Sequence, residues 1–140
     1  MWVEPVYDRT PQDVAAKNKK GVLNYADLNR IEGNTEYLSD ALLAHGYLGA
    51  IQLIKTDWQM TDMIYLSDMN RILANCIRLN NGFFKQKELP TTLQNPDYIK
   101  INTIEEVQQY EYDMINEVER SYRYCGTFYS GQMPLPQLEV

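Results

Sequence analysis

Along residues 24–46 the apolar positions fall at steps of three and four: Leu28, Ile31, Leu38 and Leu42, with Thr35 completing the row. That spacing draws one stripe down a helix. Asn24 and Asp27 stand at the separation of an N-cap and its N3 partner, and His45-Gly46 marks an exit, so a helix is predicted between those points. A second stripe starts from Ser67. Met69, Ile72, Cys76 and Leu79 form it, Leu73 and Ile77 widen it, and Asn80-Asn81-Gly82 stops it. A third and longer stripe runs through Ile104, Val107, Tyr110, Met114, Val118 and Tyr122 and ends at Cys125-Gly126. Thr103 and Glu106 have capping-box spacing, which predicts that this helix begins by Thr103 at the latest.

The remaining segments lack such order. Residues 1–22 read as an extended or weakly helical arm, in which Thr10-Pro11 can open a short helix over Asp13 to Lys19 that Gly21 stops. Leu48 to Ile54 fits a short helix or a buried strand, and the helical neighbours favour helix. The stretch "TDWQMTDM" reads as a loop and "KELPTTLQNP" as a connector; residues 126–140, with Pro134 and Pro136, read as an extended tail. The expected architecture is all-α: a compact bundle of three main amphipathic helices over residues 23–125, with short extra helices and extended termini.

Two of the helices share their wording. "YADLNRIEGNTEYL" at 25–38 and "LSDMNRILANCIRL" at 66–79 agree at six of fourteen positions, including Asp, both Asn and Arg. The third carries a worn copy: with Tyr98 set on Tyr25, residues Ile101, Asn102, Ile104 and Glu105 fall on Leu28, Asn29, Ile31 and Glu32. Offsets of 41 and then 32 residues are too uneven for an open solenoid and fit a closed bundle. At about 100° per residue, Asp27, Arg30 and Asn34 line one edge of the first stripe, and Asp68, Arg71 and Asn75 repeat that edge in the second. The polar ladder reads first as architecture: Asp27 caps the first turn, Arg30 pairs back to it, and Asn34 ties down a loop. Recognition of a ligand or partner is the alternative. Asn29 and Asn70 lie opposite the stripe, where a mid-helix Asn has no intrinsic advantage, so that face is expected to be covered.

Catalytic constellations do not emerge. His45, the single histidine, sits at a helix end, where a C-terminal dipole contact is the simpler reading than a general base. Glu105-Glu106 and Glu117/Glu119 read as carboxylates on a solvated face, without metal-ligand spacing. "YSG" at 129–131 lacks the flanking glycine of a nucleophile elbow, and no Gly-rich phosphate loop is present. No cofactor, metal or enzymatic activity is expected.

Composition narrows the partners. Thirteen Lys+Arg against nineteen Asp+Glu give a net charge of −6, which disfavours phosphate backbones, and "KNKK" at 17–20 reads as a solvated turn. The acids and prolines of the first eleven residues do not resemble an export signal, and no apolar run reaches the roughly 20 residues that span a bilayer. Cys76 and Cys125 read as reduced thiols, with a bridge between them as the alternative. Eleven tyrosines accompany 44% hydrophobic residues. Trp2, Tyr7, Trp58, Phe128 and Tyr129, toward the termini and connectors, are the candidate partner contacts, since aromatics with a polar handle favour protein interfaces and sugar grooves.

The strings "LNYADLNRIEGNTEYL", "YLSDMNRILAN" and "LPTTL…INTIEE" resemble small helical proteins and amino-terminal segments encoded among the virion structural genes of tailed bacteriophages and prophages of Gram-positive bacteria, over roughly residues 22–110. Asp27, Asn29, Arg30, Glu32 and Asn34 carry the first match; Ser67, Asp68, Asn70, Arg71 and Asn75 carry the second. The resemblance implies a tail or baseplate component, located in the virion, that binds other virion proteins and copies of itself. It brings no catalytic residues. A module that binds host-surface carbohydrate through Trp58 and exposed tyrosines is the alternative expectation.

Overall fold

The computed structural model describes residues 1–46, 53–83, 87–93 and 97–125, the last four of these for their backbone only. It contains a short helix α1 (Pro11–Ala16) and three long ones, α2 (Tyr25–Ala44), α3 (Leu66–Gly82) and α4 (Tyr98–Cys125). The three long helices pack on one another as a compact bundle. Among the described residues there is no strand, and no helix is long and apolar enough to cross a membrane.

Local chemistry explains the helix ends. Asn24 caps α2, accepting from the N–H groups of Ala26 and Asp27, while the Asp27 carboxylate accepts from the Asn24 N–H at 3.1 Å. Asp68 does the same for the Tyr65 N–H at 3.0 Å. In α4 the acid has moved to the cap itself: Asp97 Oδ1 accepts from the Lys100 N–H at 2.8 Å. The helix therefore begins five residues earlier than the Thr103 reading required, and Thr103 lies inside it, donating its hydroxyl to the Ile99 carbonyl. At the far end of α2, His45 is the C-cap residue and Gly46 takes a positive φ of 84°, the left-handed turn that glycine adopts without a steric penalty. α1 is capped by Thr10 as expected, but it ends at the left-handed Lys17, before Gly21.

All three helices run parallel. Arg30 meets Glu105, Thr35 meets Gln108 and His45 meets Glu119, so residue numbers rise together along α2 and α4. Glu32 meets Arg71 and Thr35 meets Cys76, giving α3 the same sense. Each connector must then travel back along the bundle. α3, 17 residues long, spans about 26 Å, a return of about eight non-helical residues.

Parallel packing brings equivalent repeat positions to the same level. Leu28, Met69 and Ile101 share one level, and Ile31, Ile72 and Ile104 the next; all six are buried in one cluster. Thr35, Cys76 and Gln108 then form a polar level: Gln108 Nε2 donates to Thr35 Oγ1 and to the Ile31 carbonyl. Beyond it a second apolar cluster holds Leu38, Leu42, Leu79 and Ile115. The stripes expected on α2 and α3 are buried as read. On α4 the interior row is Ile101, Ile104, Gln108, Glu111 and Ile115, whereas Tyr110 is exposed. The bundle axis sets that row, and two of its positions carry polar side chains that hydrophobicity would place outside.

Candidate functional site

The polar residues of the repeat hold non-helical segments against the helices. Residues 1–9 lie along α4 and α2 without regular structure. Asn102 accepts from the Arg9 N–H at 3.3 Å and donates to the Arg9 carbonyl at 3.0 Å. Asn34 grips Val3 by the same pair of bonds, at 2.9 and 2.8 Å. Between them, the Val6 N–H donates to Glu105. A second segment repeats this on α2. Asn29 grips the main chain of Trp58, accepting at 2.7 Å and donating at 3.0 Å, and the Lys55 N–H donates to Glu32. Asn29 and Asn102, like Glu32 and Glu105, are equivalent repeat positions, and both segments run antiparallel to the helix that holds them. The expected cover over Asn29 is this segment; Asn70 is exposed instead.

Each groove also contains an ion-pair lock in the same register. Arg30 of α2 holds Glu105 of α4 through two bonds, at 2.6 and 2.8 Å, and Arg71 of α3 holds Glu32 of α2 at 2.5 Å. The corresponding third pair would join Thr103 to Leu73, where both charges are missing. The residue anchored in each groove matches that difference. Arg9 enters the first groove and its guanidinium meets Glu105 at 2.8 Å and Asp27 at 3.3 Å. Trp58 enters the second and donates its indole N–H to Glu32 at 2.5 Å. In the third connector, Leu93 is buried in the same cluster as Leu73.

In the first groove two arginines face two carboxylates. Arg30 also bonds Asp27 at 2.7 Å, the i−3 pairing expected of it. Burial works against its charge, but the bonds to Glu105 and Asp27 outweigh that and hold its pKa above the ordinary arginine value. An open cleft of about 670 Å³ lies beside this network, lined by Lys19, Lys20, Tyr25 and Met60 among others. The Trp2 ring closes the other end of the arm, stacked on Tyr112 at 4.1 Å and tilted against Tyr37 at 5.8 Å.

Several expectations change here. Trp58 is buried, with only 4% of its surface exposed, so its ring offers no free face to a sugar or partner, whereas Trp2 is partly buried with one face stacked on Tyr112. Tyr7 remains exposed. Glu105 is fully buried, as are Glu32 and Glu111, so the solvated face assigned to Glu105-Glu106 holds only for Glu106, which pairs with Lys87. Phe128, Tyr129 and the rest of the tail lie outside the described residues, as does most of Leu48 to Ile54, of which Leu53 and Ile54 have no regular structure. Cys76 is a free, buried thiol, and burial pushes its pKa up to about 12.

Asp27, Arg30, Asp68 and Arg71 do not converge on one cleft: the first two share the arm groove, Arg71 belongs to the next, and Asp68 caps α3. Asn75 is buried. Among the described residues no group of His, Cys, Asp and Glu side chains could hold a metal ion. The sequence reading missed Arg9, which carries no periodic signal, and undervalued Glu32 and Glu105, whose shared register was visible. No family model, curated protein or solved structure matches the chain.

Proposed function

We propose that the protein is a non-catalytic structural or adaptor component of a bacteriophage particle, of tail or baseplate type, that joins other virion proteins and copies of itself. The observation that carries this reading is the use made of the repeated polar residues. Asn29, Asn34 and Asn102 each grip a peptide main chain through both its N–H and its C=O. Arg30 and Arg71 lock neighbouring helices together. A side-chain amide that pairs with a backbone reads shape and tolerates sequence, which suits a scaffold that orders extended segments. The resemblance of the twin strings to virion components points the same way.

The test is composition of the particle. Mass spectrometry of purified virions from a strain carrying the encoding phage or prophage should find the chain at a fixed copy number, and a particle map should place its bundle beside the tail. Its absence from particles, with presence in the infected-cell lysate, would overturn the reading.

A further inference from the structure

We propose that the groove between α2 and α4 is a joint between copies, which takes the amino-terminal arm of a neighbouring copy in place of the chain's own. The proposal deepens the assembly reading above by naming the contact and its occupant.

Three observations lead to it. First, the groove recognises the arm in detail: Asn34 and Asn102 take its main chain, Glu105 and Asp27 take the Arg9 guanidinium, and Tyr112 takes the Trp2 ring. Second, the tether is loosely held. Residues 10–22 place no buried side chain in the bundle, and α1 has none at all. The tether can therefore reposition without disturbing the bundle, and of the arm's side chains Trp2, which packs against the second apolar cluster, is the one that must be exchanged for its counterpart. Third, the arm fits this groove alone, because the second is filled by Trp58 on Glu32 and Leu93 packs with Leu73 in the same apolar cluster.

Exchange of an identical element between copies makes every contact again, so its cost is the entropy of association. In dilute solution the tethered arm has the advantage, with an effective concentration on the order of millimolar. A particle that holds copies side by side removes that advantage. The bonds that close the monomer then link one copy to the next.

The experiment uses full-length chains in solution, so its failure is separate from absence of the protein from virions. One variant carries Trp2→Ala and Arg9→Ala, spoiling the arm; the other carries Asn34→Ala and Asn102→Ala, spoiling the groove. Mixed at high concentration, warmed and returned to room temperature, they should yield a species containing one chain of each by native mass spectrometry. Neither should form it alone. Where circular dichroism finds either variant unfolded, wild-type chain with Val3→Cys and Asn34→Cys in a Cys125→Ser background replaces them. A bismaleimide should then join separate chains at high concentration and close single chains when dilute. Single-chain products alone at every concentration, or a folded mixture that never pairs, would overturn the proposal.

Discussion

Glu111 places a carboxylate at an apolar level of the bundle. It stands at the register of Leu38 and Leu79, it is 1% exposed, and among the described residues its Oε2 has no hydrogen-bond partner. Burial pushes its pKa up to about 8 from an ordinary 4.5. Because the folded form binds this proton more tightly, the contribution is favourable below pH about 4.5 and is lost as the pH rises through about 8. Glu111→Leu is expected to raise stability at pH 9, by something on the order of 4 kcal/mol, and much less at pH 5. Denaturant titrations at the two pH values check this, and an equal gain at both would contradict it. Glu105, equally buried, differs in being fully partnered. It balances the buried Arg9 and the partly buried Arg30, so Glu105→Gln should cost about 3 kcal/mol in a denaturant titration.

At the scale of an element, what matters is how a segment with no core of its own is held. The arm depends on side-chain amides, each of whose bonds is worth about 1 kcal/mol net. Asn34→Ala should therefore leave the bundle's circular dichroism unchanged while the amides near Val3 lose protection in hydrogen exchange. If those amides stay protected, Asn34 is not what holds them. Gly21 has a different constraint. A Cβ there would come within 2.1 Å of the Asp13 carbonyl oxygen, so Gly21→Ala should displace the turn after α1 and loosen the bond from Arg9 Nε to the Lys20 carbonyl. Faster protease cleavage between residues 10 and 22, with little change in global stability, is the expected signature.

For the whole molecule, the arm completes the bundle. Residues 1–9, which have no periodic pattern of their own, supply a partner of Glu105 and half of an aromatic stack. Removing residues 1–9 should lower the unfolding free energy by about 3 kcal/mol or more, since the Trp side chain is lost and the buried Glu105 keeps only Arg30 of its two arginine partners. Thermal unfolding of the truncated chain measures it. A melting temperature equal to that of the full chain would show that the arm adds nothing. Parallel helices also fix the shape: their connectors must return along the bundle, and the grooves receive them.

The helices of this protein are determined locally. Caps, stops and the stripes on α2 and α3 follow from steps of three and four residues, because a helix satisfies its own backbone and leaves one face to be buried. Even the repeat that sets equivalent levels is legible in the letters. What only the tertiary structure decided is which polar groups go inside. Arg9 comes from an arm with no periodicity and meets Glu105 across 96 residues of chain. Gln108 and Glu111 are interior because the bundle axis passes them. Such pairings depend on where helices lie in space, and no window along the chain contains both partners.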